Sequence, residues 1–256
     1  MGSGGRERSP SGERLFAVGD LHGCADELEQ LLETIDPRSG DEIVFVGDYV
    51  DRGTRARDTI DRLIKLRDGS GARCVFLRGN HEDMFLSWLG ESGRHGDAFL
   101  LNGGRATLES YGIPASASPG EARERIPGAH LEFLRELRLH HLSPPFLFVH
   151  AGIGPLVPLE EQDEEDLLWI REPFLRNRHR LPYTVIFGHT PHREIFWHLP
   201  WKIGIDTGCV YGNKLSCLEL RSETLLEVRK GGGVTQRSVA EELRPLSALK
   251  GAGERV

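Results

Sequence analysis

Four short strings, GDLHG, GDYVDRG, GNHE and GHT, occur in this order along the chain, each closing an apolar run. They place Asp20, His22, Asp48, Asn80 and His189 where strands hand over to loops, and His150 in FLFVHAG occupies the same kind of position. Asp20 and His22 are separated by one residue, a spacing that turns both side chains to one face of an extended segment. Gly19 and Gly23 flank them and let the backbone turn tightly around an ion. Asp48 has two carboxylate oxygens with which to bridge two ions, Asn80 a neutral carbonyl oxygen, and His150 and His189 imidazole nitrogens. Such a donor set suits two adjacent transition-metal ions of borderline hardness. Two divalent ions and two aspartates leave a net positive cluster. Coordination lowers the pKa of water from about 15.7 towards neutrality, which arms an in-line attack without a nucleophilic Ser or Cys. Of the 11 histidines, His95, His130, His140, His141, His179, His192 and His198 lack this framing and read as ordinary surface or core groups.

Positioning these donors requires strands that end together. Leu15–Val18, Glu42–Val46 and Cys74–Leu77 read as strands, alternating with helices over Ala25–Ile35, Ala56–Leu66 and Glu82–Leu89. The strands are nearly continuously apolar, as expected where both faces of a sheet are covered. Residues 91–140 read as helical and Gly-rich. The second half returns to strands at Phe146–Val149, Thr184–Phe187, Glu194–Trp197, Ile203–Ile205, Lys214–Leu220 and Thr224–Arg229, several spaced closely enough for antiparallel pairing. An α/β fold of two packed mixed sheets with helices outside follows. The expected organisation is a disordered leader or tag remnant over 1–13, a catalytic domain over 14–231 and a polar, poorly ordered C-terminal tail over 232–256.

Composition sets further bounds. A chain of 256 residues with 38% hydrophobic and 28% charged residues can bury a sizeable core. The net charge of −7 argues against an electrostatic nucleic-acid binder. It leaves room for an anionic substrate, because bound metals invert the local field. No apolar run reaches the roughly 20 residues of a membrane span, and the Gly/Ser/Arg-rich start lacks the apolar core of a secretory signal. A cytoplasmic protein is expected, with its four cysteines reduced and mostly buried, since none forms a CxxC pair. Cys24 reads as a small helix-start residue with no second thiol placed to help it. The acidic run Glu160–Asp166 reads as a solvated loop and helix N-terminus.

Taken together, GDLHG, GDYVDRG, RGNHE, HAG and GHT resemble the motif series of the PPP-type serine/threonine phosphatases within the calcineurin-like metallophosphoesterases, over roughly residues 15–220. The resemblance implies that family's β-sandwich flanked by helices. It implies that Asp20, His22 and bridging Asp48 hold one metal, and Asp48, Asn80, His150 and His189 the other. Arg52 would grip phosphate oxygens in a bidentate fork. His81 would be the general acid for the departing alkoxide, oriented by Asp51. Arg171 in LLWIREPFL resembles a second phosphate-gripping arginine, competing with a plain ion pair to Glu172. Asn80 and Tyr211 would also border the phosphate, and Asp206 would shape the loop. Mn²⁺ is the expected metal, with Fe and Zn alternatives.

The implied activity is removal of phosphate from phosphoserine or phosphothreonine in proteins and peptides, or from small phosphoesters. The alternative is a symmetrical diadenosine tetraphosphate hydrolase, on a closely similar scaffold. The segment NGGRATLESYG (residues 102–112) resembles a stretch common among bacterial members of both, so it does not separate them. An apparatus for protonating a poor leaving group, Asp51 with His81, favours the phosphomonoesterase. A silent scaffold would have lost a ligand or the acid, and none is missing.

Overall fold

The computed structural model describes residues 13–250. Three strand–helix units open the chain: β1 (Leu15–Val18) with α1 (Ala25–Ile35), β2 (Glu42–Phe45) with α2 (Ala56–Gly69), and β3 (Arg73–Phe76) with α3 (Asn80–Trp88). The connecting region carries two 3₁₀ turns and then α4 (Gly104–Ser110), α5 (Pro119–Arg125) and α6 (Gly128–Arg135). Next come β4 (His140–Ser143), β5 (Phe146–Val149), α7 (Glu164–Trp169), α8 (Glu172–Arg176), β6 (Thr184–Phe187), β7 (Phe196–His198) and β8 (Lys202–Gly204). The chain closes with β9 (Lys214–Glu219), β10 (Thr224–Arg229), β11 (Val234–Ser238) and α9 (Ala240–Lys250).

The strands form two mixed sheets, in the orders β11-β10-β9-β1-β2-β3 and β4-β5-β6-β8-β7. Strand alternation explains why they stack. Leu15 and Ala17 on β1 and Val44 on β2 pack in one cluster with Phe146, Phe148, Ile186 and Ile203 of the second sheet. Their neighbours Phe16, Val18, Ile43 and Phe45 turn the other way, onto Leu28, Leu31, Ile60 and Leu63 of α1 and α2. Leu147, Val149, Val185 and Phe187 form the opposite face of the second sheet with Leu167 and Phe174 of α7 and α8. Every residue on these strands except Glu42 at the start of β2 is therefore buried, which is why they read as unbroken apolar runs.

β1, β2 and β3 are parallel to one another, and so are β5, β6 and β8. Parallel strands end at the same edge, so the residues following each are gathered along one seam. The expected two-sheet architecture is the one observed.

Several local differences have physical reasons. β4 (His140–Ser143) carries two histidines and shows little apolar alternation; it is an edge strand held by pairing with β5 and by Glu42, which receives His141 Nε2 at 2.9 Å and Ser143 Oγ at 2.8 Å. The strand expected over Glu194–Trp197 is Phe196–His198. The chain beyond Gly231 is not a structureless tail within the described residues. β11 pairs antiparallel with β10, and α9 buries Leu243 and Leu246 between the sheets. β11 is polar because it is an exposed edge strand, and α9 buries too few side chains to show a clear apolar period. Residues 1–12 of the expected leader and 251–256 of the expected tail lie outside the described residues.

Candidate metal centre

The seam collects Asp20 and His22 after β1, Asp48 after β2, Asn80 at the start of α3, His150 after β5 and His189 after β6, all nearly or fully buried. Each imidazole is aimed by its second nitrogen. His22 Nδ1 meets the Val50 carbonyl at 2.8 Å and His150 Nδ1 the Val46 carbonyl at 2.8 Å, which leaves both Nε2 atoms facing the centre. Asp48 stands between two groups: His22 Nε2 is 3.3 Å from Oδ2, and His150 Nε2 is 3.4 Å from Oδ1. Asn80 Oδ1 lies 3.0 Å from His150 Nε2 and 2.9 Å from His189 Nδ1. Of the two donor groups that the resemblance implied, Asp48 gathers with His150 and His189 as expected; in the other, His22 and Asp48 gather with His81, and Asp20 lies alongside, bonded to the His189 N–H.

Electrostatics agree with a cation here. Asp20 Oδ1 is buried and has no hydrogen-bond partner, while Oδ2 receives the His189 N–H at 2.9 Å. Burial, then Asp206 and Asp48, push the Asp20 carboxyl well above its ordinary range. Burial alone would also raise Asp48, but the surrounding imidazoles of His150, His81 and His22 hold it well below that range. Burial and His150 push His189 down to about 2, leaving a neutral imidazole with a lone pair to give. A buried carboxylate oxygen without a donor, beside the neutral His189 imidazole, fits a divalent ion. Backbone room is reserved for these oxygens: a Cβ on Gly188 would lie 2.0 Å from Asp20 Oδ1, and one on Gly79 2.1 Å from Asp48 Oδ1.

The remaining predicted residues surround this cluster. His81 Nδ1 lies 2.7 Å from Asp51 Oδ2, so the pair forms as expected and Nε2 faces inward, 4.0 Å from Asp48 Oδ2. Asp51 therefore does not pair with Arg52. The Arg52 guanidinium reaches His22 Nε2 at 2.5 Å, and Arg171 donates from Nε to His189 Nε2 at 3.1 Å, while Glu172 pairs with Arg176 instead. Both arginines border the centre. Tyr211 lies over Arg52, 5.6 Å from guanidinium carbon to ring centroid, and is 60% exposed. Asp206 shapes its loop as expected, accepting the Gly208 N–H at 2.9 Å, and stands close enough to raise Asp20.

Two positioning residues escaped the sequence reading. Thr107 on α4 donates to Asp51 Oδ1 at 2.6 Å and receives the Asp51 N–H at 2.8 Å, locking the carboxylate that holds His81. It lies inside NGGRATLESYG, but a threonine in a helix carries no visible sign of such a bond. Glu82, the last letter of GNHE, was in plain view without a role. Its carboxylate accepts the backbone N–H groups of Asp48, Tyr49, Val50 and Gly79 at 2.7–3.1 Å. Burial first and Asp48 second push its pKa up to about 8, against the pull of those N–H groups. Glu82→Gln would turn an amide NH₂ towards backbone donors that need an acceptor. It should destabilise the fold by about 1–3 kcal/mol, measured by urea denaturation. A stability equal to wild type would show that this carboxylate does not hold the loop.

The sandwich and its seam of donors are those of one phosphoesterase class. The Calcineurin-like phosphoesterase family model matches residues 13–225, and the chain belongs to that family. Among curated relatives, an asymmetrical bis(5'-nucleosyl)-tetraphosphatase, PrpE, of Anoxybacillus flavithermus is 26% identical over 89% of this chain and 97% of its own. A symmetrical bis(5'-nucleosyl)-tetraphosphatase of Neisseria gonorrhoeae is 25% identical over 88% of this chain and 99% of its own. A solved structure described as a candidate diadenosine tetraphosphatase superposes with a TM-score of 0.63 at 25% identity, covering 90% of this chain and 95% of that one. The chain is a metallophosphoesterase; these relatives are named for the substrate that the sequence reading held as its alternative. No helix of the described residues is long and apolar enough to cross a membrane.

Proposed function

We propose that the protein is a metal-dependent hydrolase of dinucleoside polyphosphates, with the phosphoanhydride bond as its target. The observation that carries the hydrolytic reading is the seam itself: donors from both sheets converge on Asp48, with a partnerless Asp20 oxygen beside it. Asp20, His22 and Asp48 would hold one divalent ion, and Asp48, Asn80, His150 and His189 a second. When bound, these ions supply positive charge to phosphoryl oxygens and acidify water.

The protein's own groups supply the rest. Arg52 and Arg171 bind the phosphoryl oxygens from two sides and stabilise the charge spread over them in the transition state. Asp51 accepts from His81 Nδ1 and turns Nε2 towards the departing oxygen, where it can deliver a proton. That dyad is permissive rather than selective: an acid able to protonate an alkoxide also serves a phosphate leaving group.

The relatives' names favour the dinucleotide. So does the rim, where Tyr211 borders a groove of about 390 Å³ shared with His192, Thr207 and Asn213. An exposed ring beside such a groove offers a stacking face for a base, worth about 1–3 kcal/mol. Tyr211→Ala should therefore raise KM for diadenosine tetraphosphate about tenfold while leaving KM for p-nitrophenyl phosphate within about twofold. Equal changes on both substrates would remove the stacking role.

The deciding experiment compares diadenosine tetraphosphate with a phosphoserine/phosphothreonine peptide under the same Mn²⁺ concentration. The dinucleotide should win by about tenfold or more in kcat/KM. A faster peptide would install the protein phosphatase, which the Asp51–His81 pair at 2.7 Å would serve equally well.

A further inference from the structure

Cys24 and Cys209 stand together. Their Sγ atoms and a Glu27 carboxylate oxygen all lie within 4.8 Å of one another, in a buried cluster. The expectation that Cys24 has no second thiol near it is therefore overturned. A soft metal ion would need the third donor, but Glu27 is already engaged on both oxygens: Lys230 Nζ donates to Oε2 at 2.7 Å and the Gly231 N–H to Oε1 at 3.0 Å. Two facing thiols remain, both free.

Their positions in the chain give this pair its consequence. Cys24 follows His22 by two residues and caps the start of α1, its N–H donating to the Leu21 carbonyl at 2.9 Å and its own carbonyl receiving the Leu28 N–H at 3.1 Å. Cys209 opens the short 3₁₀ turn that ends at Tyr211, three residues past Asp206. That turn is bracketed by Gly208 at φ +69° and Gly212 at φ +90°, and a Cβ on Gly212 would meet nothing within 4 Å. One thiol is anchored in a helix start. The other rides on a glycine-hinged loop.

We propose that Cys24 and Cys209 form a reversible disulfide under peroxide and that the bond displaces the Asp206–Tyr211 loop from the metal centre. One thiolate attacks the peroxide O–O bond, giving a sulfenic acid and releasing water after protonation. The second thiol attacks that sulfur, an S–S bond forms and a second water leaves; two thiols are oxidised and one peroxide reduced. An S–S bond of about 2.05 Å draws the sulfurs together, and the loop with its free glycine follows. Asp206 is then drawn from beside Asp20, which disturbs the centre for any phosphoester, and Tyr211 leaves its place over Arg52. A dithiol reductant reverses the step.

The test uses the full-length, Mn²⁺-loaded protein. After hydrogen peroxide, quenching and alkylation in denaturant, a tryptic map should show residues 15–38 joined to residues 203–214, lighter by two hydrogens, with Cys74 and Cys217 alkylated. Hydrolysis of p-nitrophenyl phosphate should fall about tenfold, as a misplaced site predicts, and return with dithiothreitol. Cys209→Ser should keep the basal rate and lose the reversible fall. A map linking other cysteines, or showing only sulfinic acid, would overturn the proposal, as would zinc held by the pair in the purified protein. The same reversible fall in Cys209→Ser would place the oxidation at the metals and overturn it too. The map is read on wild-type protein and needs no activity, so it stands whether or not the variant folds or the substrate assignment holds.

Discussion

Asp48→Asn should lower kcat/KM for every phosphoester substrate by on the order of 10³-fold or more, equivalent to about 4 kcal/mol of transition-state stabilisation. The side chain keeps its shape in this substitution, so the effect isolates charge. Asp48 is, among the described residues, the carboxylate flanked by imidazoles of both donor groups, with His22 at 3.3 Å on one oxygen and His150 at 3.4 Å on the other. An amide puts an NH₂ where one of those oxygens stood and removes a negative charge from between two prospective cations. Metal binding should fail with it. Calorimetry on wild type should give two Mn²⁺ per chain, and the thermal midpoint should climb with metal because ligand that binds only the folded state stabilises it. The variant should bind at most one ion and gain correspondingly less. A variant that holds two ions and turns over at the wild-type rate would end the dinuclear reading.

His81→Asn should produce a loss that depends on the leaving group. An alkyl phosphate departs as a strongly basic alkoxide, so removing its proton donor should cost about 10²–10⁴-fold. p-Nitrophenolate departs without help, and the nucleotide leaving through a phosphate oxygen of a dinucleoside polyphosphate needs little, so both should fall less than about tenfold. The geometry behind this is Asp51 Oδ2 at 2.7 Å from Nδ1, with Thr107 at 2.6 Å fixing the other Asp51 oxygen. Asp51→Asn should show the same ranking in weaker form. Equal losses across the three substrates would remove His81 as the acid and leave it a packing residue.

Much of the centre was legible because its chemistry is local. Asp20, His22, Asp48, Asn80, His150 and His189 each follow a short apolar run, and parallel strands ending at one edge convert that repeated local sign into a cluster. The architecture followed from the same runs. Other features were hidden because they depend on partners far along the chain. Thr107 meets Asp51 across 56 residues, a pairing that no residue type announces. Cys24 and Cys209 look unrelated until β1 and β9 lie side by side. β11 is exposed on both faces, so the alternation that signals a half-buried strand is missing. The substrate was not legible for a chemical reason. An acid suited to a poor leaving group favoured the phosphomonoester, yet it serves a better leaving group as well, and the relatives are named for dinucleoside tetraphosphates.

His22, Asp48, Asp51, Arg52 and His189 all adopt left-handed backbone conformations, with φ between +42° and +68°. For residues with a Cβ, each such conformation costs on the order of 1 kcal/mol. The places where glycine would relax the chain are the same places that carry the ligating and phosphate-gripping side chains. Mutation and selection at these positions therefore pull in opposite directions. A search for thermostability alone would drift towards glycine at the seam, and its hardiest products would be folded proteins that hydrolyse nothing.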